Sequence, residues 1–142
     1  MKSDLLRVVI DTNVIVSAAL KANSIPAYVV SAGLARKFLV SYSRQIMNEY
    51  REVLIRGKFQ FPLSQVDRYL SDLKKVGEQV FPRTSITICP DPDDNKFLDC
   101  AEEAGALYLV TGNKRHFPIK HGQTSVVSPR QFVMILVSAG IL

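Results

Sequence analysis

Short apolar runs that alternate with helical patterns constrain the fold of this chain more than any other feature. Residues 7–10, 38–41 and 107–110 carry nearly continuous apolar runs, which are typical of strands buried on both faces of a parallel sheet. Residues 125–127 predict a further strand, and the alternating β-branched residues of 85–89 predict a short one. Helical patterns fill the intervals between them. We therefore expect an α/β fold, with three α/β/α layers around a central, mostly parallel sheet.

The predicted helices are marked by apolar periodicity and by residues that favour helix ends. Pro26 and Pro129 suit first helical turns, whereas Gly57 and Gly105 suit the position just after a helix. No repeat, low-complexity tract or Pro/Gly/Ser-rich linker divides the sequence, so we expect residues 1–142 to form one domain. The helices are predicted over 14–20, 26–37, 43–56, 64–81, 94–104 and from 129 onward.

Composition disfavours several classes of protein. Hydrophobic residues make up 47% of the 142 residues and charged residues 22%, which suits a domain with a full core. No apolar run approaches a membrane span and the first residues lack a signal-peptide pattern, so we expect a cytoplasmic protein with no membrane partner. Cys89 and Cys100 form no Cys-x-x-Cys pair, which disfavours a disulfide framework. The net charge of +5 permits a polyanionic partner without requiring one.

Three acidic residues occupy positions from which they could share one site. Asp11 directly follows the first strand, Glu49 lies at the margin of an apolar helix face, and Asp94 begins a helix on its packed face. In parallel sheets the ligand crevice lies beyond the carboxyl ends of the strands. Taken singly, Asp11 and Asp94 could be helix caps, and Glu49 could extend into water. Taken together, such acids repel one another unless a cation compensates them, and oxygen donors suit Mg²⁺ or Mn²⁺.

Other catalytic motifs find little support. His116 and His121 do not share a helix face and Pro118 lies between them, which disfavours zinc. The sequence contains no glycine-rich phosphate loop and no Gly-x-Ser-x-Gly elbow, so ATPase, dinucleotide oxidoreductase and serine hydrolase functions are disfavoured.

Four segments in order resemble the motifs of PIN-domain ribonucleases. They are Val9-Ile10-Asp11-Thr12-Asn13-Val14, the helical stretch 48–54, the stretch Asp91-Pro92-Asp93-Asp94 with the residues up to Ala101, and Val110-Thr111-Gly112-Asn113. The resemblance runs from about residue 7 to residue 130 and is greatest to prokaryotic PIN proteins described as toxin components of toxin–antitoxin pairs. It implies a metal-dependent endoribonuclease that hydrolyses RNA phosphodiester bonds.

The resemblance also assigns roles to individual residues. It implies that Asp11, Glu49 and Asp94 are the catalytic, metal-binding acids for Mg²⁺ or Mn²⁺. Asn113 completes the implied metal site, where relatives often carry a fourth acid, and could bind a metal-bound water or a phosphate oxygen. His116 stands where some relatives carry Asp, and the lack of a carboxylate at both positions disfavours a tight second metal. Supporting roles around the metal ligands fall to Thr12, Asn13 and Thr111.

The same resemblance implies that the protein binds RNA and partner proteins. Cations near the crevice could contact RNA, and Tyr42 could stack on a base. A cognate antitoxin protein and a homodimer are further partners implied by analogy. The candidate RNA-binding cations are Lys21, Arg44, Arg51, Lys114 and Arg115.

Two other functions stay open at this point. A noncatalytic PIN-like module could bind RNA or protein without cutting, and the neutral Asn113 favours it. A phosphoacceptor signalling domain would need paired acids after the first strand and an acceptor acid after the second. After the first strand the sequence has the single acid Asp11, and after the second strand it has Ser41-Tyr42 and no acceptor acid. The signalling function is therefore disfavoured.

Overall fold

A central sheet organises the molecule, which we describe from a computed structural model covering residues 4–142. Expectations that concern residues 1–3, including those on the start of the chain, lie outside the described residues. Within residues 4–142 the sheet has six strands in the order β3-β2-β1-β4-β6-β5, and only the β5–β6 pair is antiparallel. The strands are β1 Arg7–Ile10, β2 Leu39–Tyr42, β3 Glu78–Gln79, β4 Tyr108–Val110, β5 Lys120–His121 and β6 Thr124–Val127.

The helices cover this sheet, and the α/β/α fold expected from the sequence is confirmed. Helix α5 packs against β1, β2 and β4, whereas α1 packs against α2 and α3, and α2 also contacts α4 and α6. Fully buried aromatic rings fill the core; Phe38 and Phe132, for example, meet edge to face with centroids 5.0 Å apart. The helices are α1 Thr12–Leu20, α2 Ile25–Leu34, α3 Arg44–Leu54, α4 Leu63–Val76, α5 Asn95–Ala104 and α6 Pro129–Ser138.

The segment between α4 and α5 differs from the sequence prediction in two ways. Helix α4 ends at Val76 rather than near Pro82, and the next residues pair with β2 as the parallel edge strand β3. Gly77 permits this turn, because a Cβ atom there would lie 2.6 Å from the Val40 carbonyl oxygen. The strand predicted over 85–89 is wrong. Side chains of α5 take its backbone donors instead, since Ile86 N–H donates to Asp99 (2.7 Å) and Cys89 N–H to Asn95 (2.9 Å).

Strand β1 is the structural basis of the crevice, because it lies between β2 and β4 with all three strands parallel. The chain leaves these strands at Asp11, at Ser43 and at Thr111, which therefore lie at one edge of the sheet. Among residues 4–142, no single helix is both long and apolar enough to cross a membrane; α1 and α2, bent by 104° at their break, pass the criteria of length and composition only as a pair.

Candidate active site

Asp11 is buried at the carboxyl end of β1. Its backbone N–H donates to the Val110 carbonyl (2.9 Å), which ties it to β4, and only 7% of the residue is exposed. The side chain makes no capping hydrogen bond to α1, although Asp11 occupies the N-cap position. Instead, Oδ2 accepts a hydrogen bond from Thr111 Oγ1 (2.6 Å). Its carboxylate therefore points into the crevice and does not serve as a helix cap.

Glu49 comes to the same edge from α3. Ser43 caps this helix by accepting from Ile46 N–H (3.2 Å), and the buried Tyr50 hydroxyl donates to the carbonyl of Ile10 in β1. These contacts fix the helix against the strand that carries Asp11. The Glu49 side chain is 22% exposed; its Oε2 accepts from Thr12 Oγ1, and its Oε1 lies 2.5 Å from Lys96 Nζ. Glu49 is therefore held within the crevice and does not extend into water.

Asp94 is presented by a 3-10 turn, Pro92–Asp94, that precedes α5. The Asp91 side chain caps this turn by accepting from Asp93 N–H (3.0 Å). Asp94 makes no capping hydrogen bond to α5, and its side chain is 17% exposed. Its Oδ2 is buried without a hydrogen-bond partner and lies 3.5 Å from His116 Nδ1. A buried carboxylate oxygen that lacks a donor is a site where a cation or a protonated group is expected.

Burial and neighbouring charges raise the pKa of two of the three acids, Asp11 and Asp94. Burial raises the pKa of Asp11 from 3.8 to about 6; the Thr111 hydrogen bond opposes this, and the charges of Asp94 and Glu49 add to it. Burial also raises the pKa of Asp94; the charges of Asp91 and Glu49 add to this, whereas His116 and Lys96 oppose it. The sequence prediction that these acids lie near one another therefore agrees with the geometry, while their assignment as metal ligands stays a prediction.

The carboxylate oxygens are donors of the kind that a hard divalent cation prefers. However, the side chains do not form a complete coordination shell. Within residues 4–142, no group of three or more His, Cys, Asp or Glu side chains is close enough to hold a metal ion as it stands. In this arrangement Lys96 and Thr12 each donate to one oxygen of the Glu49 carboxylate. The unpartnered Asp94 Oδ2 and the buried Asp11 carboxylate provide oxygen donors of the kind that Mg²⁺ and Mn²⁺ prefer. Binding would require Glu49 to exchange its present partners.

The predicted supporting residues build the frame around Asp11. Thr111 is fully buried; its hydroxyl donates to Asp11 and accepts from Asn113 N–H (3.0 Å). The Asn13 side chain accepts from Gly112 N–H (3.1 Å), which links the start of α1 to the loop after β4. The Thr12 hydroxyl binds Glu49 rather than Asp11. These residues therefore connect the loops that follow β1 and β4 to the acidic side chains.

A cleft of about 390 Å³ lies beside Asp94, because His116, whose Nδ1 is 3.5 Å from Asp94 Oδ2, is one of its lining residues. Lys114 Nζ donates to Gln131 (3.0 Å), which leaves the ammonium at the cleft, and Arg115 is exposed. Arg44 is exposed at the start of α3, and Lys21 is exposed at the end of α1. The cleft is lined by Gly112, Asn113, Lys114, Arg115, His116 and Ser128.

Two residues that were predicted near the RNA, Tyr42 and Arg51, have other partners within the fold. Tyr42 is only 7% exposed and its hydroxyl donates to the Lys74 carbonyl (3.4 Å), so the prediction that it stacks on a base is wrong. Arg51 forms an ion pair with Asp67 of α4 (3.1 Å).

Lys96 lies in the site but was not predicted from the sequence. The sequence prediction began the helix at Asp94, and α-helical geometry then separates residues 94 and 96 by about 200°. In the structure Asp94 belongs to the 3-10 turn and α5 begins at Asn95, so this separation does not apply. The only available signal was the position of a lysine two residues after a candidate ligand.

An α/β fold with acidic side chains beyond the ends of its parallel strands defines a class that includes nucleases. Comparison with protein families assigns the chain to this class more narrowly: residues 7–115 match the PIN domain, so the chain belongs to the PIN domain family. The match includes Asp11, Glu49, Asp94 and Asn113, and family membership indicates a nuclease superfamily. Among curated proteins, the chain is similar to the uncharacterized protein MJ1680 of Methanocaldococcus jannaschii, with 29% identity over 140 residues and 90% of each chain covered.

Proposed function

We propose that this protein is a metal-dependent endoribonuclease that hydrolyses phosphodiester bonds of RNA. The observation that supports this most directly is the convergence of Asp11, Glu49 and Asp94, which reach one edge of the sheet from three separate elements. The charge of Glu49 helps to raise the pKa of both Asp11 and Asp94. The PIN domain match supports both nuclease chemistry and RNA as the substrate class. The adjoining cleft with Lys114 and Arg115 provides positive charge for an RNA backbone.

In this proposal the acids hold Mg²⁺ or Mn²⁺ and the surrounding residues orient them. Asp11, Glu49 and Asp94 would supply the carboxylate ligands, and Asn113 would contribute an amide oxygen or bind water. A divalent cation supplies a lowered pKa for attacking water and compensation for charge on the phosphate. Thr111 fixes the Asp11 carboxylate from its buried position. Lys114 and Arg115 would hold the flanking phosphates.

We further propose that the protein acts as the toxin of a toxin–antitoxin pair. The likeness of its motifs to those of PIN proteins described as toxins supports this role, and RNA as the substrate makes the cytoplasm the expected location. An antitoxin protein and a second copy of the chain are the proposed partners. Growth arrest on expression in a bacterial host, absent for Asp94→Asn, would support the role; normal growth with active enzyme would contradict it.

A noncatalytic RNA- or protein-binding module is the second candidate. The Lys96–Glu49 ion pair favours it, because it neutralises an acid that metal-dependent cleavage would need. Asn113 favours it as well, because it adds no negative charge to the site.

Cleavage of an end-labelled RNA with Mg²⁺, Mn²⁺ or EDTA tests the proposal. We expect cleavage only with a divalent cation, and a loss of at least about 100-fold in Asp11→Asn and Asp94→Asn. Asp93→Asn is the matched control, because Asp93 is an exposed acid in the same turn as Asp94. Binding of RNA without cleavage would favour the noncatalytic module, and wild-type cleavage by Asp94→Asn would contradict the assigned site.

A further inference from the structure

Lys96 lies where a cation is needed among the acids. Its ammonium is 2.5 Å from Glu49 Oε1, and the side chains of both residues are only 22% exposed. The other Glu49 oxygen accepts from Thr12, so each oxygen of the carboxylate already has a donor in this arrangement. The ammonium is also 6.0 Å from the centroid of the Phe97 ring, which favours a cation at that position.

The charge of Lys96 acts on a second acid of the site. It stabilises the ionised form of Asp94, in the direction opposite to the effects of Asp91 and Glu49. His116 lies on the other side of Asp94, 3.5 Å from its Oδ2. One ammonium therefore compensates two of the three acids in the metal-free protein.

A divalent cation and this ammonium cannot share Glu49 without strong repulsion. Two positive charges on one partly desolvated carboxylate interact in an environment that screens them less than water does. A divalent cation that binds Glu49 therefore competes with Lys96, and the lysine lowers the affinity of the site for metal.

We propose that Lys96 is an internal counter-ion that holds Glu49 in the metal-free protein and leaves it when a divalent cation binds. This inference rests on the proposed metal-dependent function. It makes Lys96 a positioning residue that sets the metal concentration at which the site fills. A residue with a merely structural role would weaken metal binding when removed, whereas removal of a competing counter-ion strengthens it.

Titration of Mn²⁺ against the purified full chain, followed by the electron paramagnetic resonance signal of free Mn²⁺, tests the inference. We expect Lys96→Met to bind Mn²⁺ about tenfold more tightly than the wild type. Lys96→Arg keeps the charge and should bind within about twofold of the wild type. Lys114→Met is the matched control for a lost lysine charge near the crevice, because Lys114 pairs with Gln131 and not with an acid; it too should stay within about twofold.

A second measurement does not depend on the folding of Lys96→Met. In the wild type, the ¹³Cε resonance of Lys96, assigned with the aid of Lys96→Arg, should shift on saturation with Mg²⁺, while that of Lys114 stays in place. Unchanged or weaker Mn²⁺ binding by a folded Lys96→Met, or an unmoved Lys96 resonance in a protein that binds Mg²⁺, would overturn the inference alone. If neither the wild type nor Lys96→Met binds Mn²⁺, the inference and the metal-dependent function are both overturned.

Discussion

Replacement of Asp11 by Asn should stabilise the metal-free protein at neutral pH. Burial raises the pKa of Asp11 to about 6 from 3.8, and the neighbouring charges of Asp94 and Glu49 act in the same direction. The ionised carboxylate is therefore unfavourable in the folded protein. The difference between the two pKa values, at about 1.4 kcal/mol per pH unit, corresponds to a cost of about 3 kcal/mol. Asn avoids this cost, and its amide oxygen can still accept from Thr111.

The pH dependence has a defined sign. Because the folded-state pKa is higher than the unfolded one, the folded protein binds this proton more tightly. The cost of ionisation is absent below pH 3.8, grows as the pH rises, and is complete above about pH 6. The free energy of unfolding of Asp11→Asn should therefore match the wild type near about pH 3.8 and exceed it by up to about 3 kcal/mol at about pH 7.5.

Urea unfolding in EDTA at several pH values measures this difference. Asp93→Asn is the control, since an exposed acid should change stability by less than about 0.5 kcal/mol. Mg²⁺ at about 1,000 times its Kd should reverse the order, because it adds about 4.1 kcal/mol to the wild type alone. An Asp11→Asn protein no more stable than the wild type at about pH 7.5 in EDTA, or a difference independent of pH, would refute the reasoning.

Three further predictions concern the turn at Gly77, the contact of Tyr50 with β1 and the two buried thiols. Gly77→Ala should lower the free energy of unfolding by about 1–3 kcal/mol in urea melts, because the new Cβ meets backbone oxygens at 2.6 and 2.9 Å; an unchanged midpoint would contradict the turn described. Tyr50→Phe should cost about 1–3 kcal/mol in the same assay, because the Ile10 carbonyl loses its buried donor; a neutral effect would contradict that contact. Burial raises the pKa of Cys89 to about 11 and of Cys100 to about 12, so both thiols should resist a disulfide reagent at about pH 8 until the protein unfolds; rapid labelling of the folded protein would contradict this burial.

The parallel sheet and the place of Asp11 were predictable because they depend on local patterns. A continuous apolar run such as Val8 to Ile10 fits a strand buried on both faces, and Asp11 directly follows it. Glu49 was predictable from helix periodicity alone, since α3 is a regular amphipathic helix.

The features that were not predicted from the sequence depend on contacts between segments that are distant along the chain. Residues 85–89 alternate like a strand, but side chains from α5 satisfy their backbone. The Tyr42 side chain packs beneath α4, which its position at a strand end did not reveal. Lys96 was not predicted as a site residue because its ion-pair partner, Glu49, comes from α3. No pattern along one segment reports such pairings, because each partner comes from another part of the chain.

The position of a bound metal ion would show whether Asp11, Glu49 and Asp94 form one metal site. Crystals grown with Mn²⁺ and measured at the manganese absorption edge would show the ion by its anomalous scattering. We expect a peak with oxygen ligands at about 2.0–2.3 Å from Asp11 and Asp94, with Glu49 released from Lys96. A peak elsewhere, or Mn²⁺ binding in solution with the Lys96–Glu49 pair intact and no metal between the acids, would contradict it.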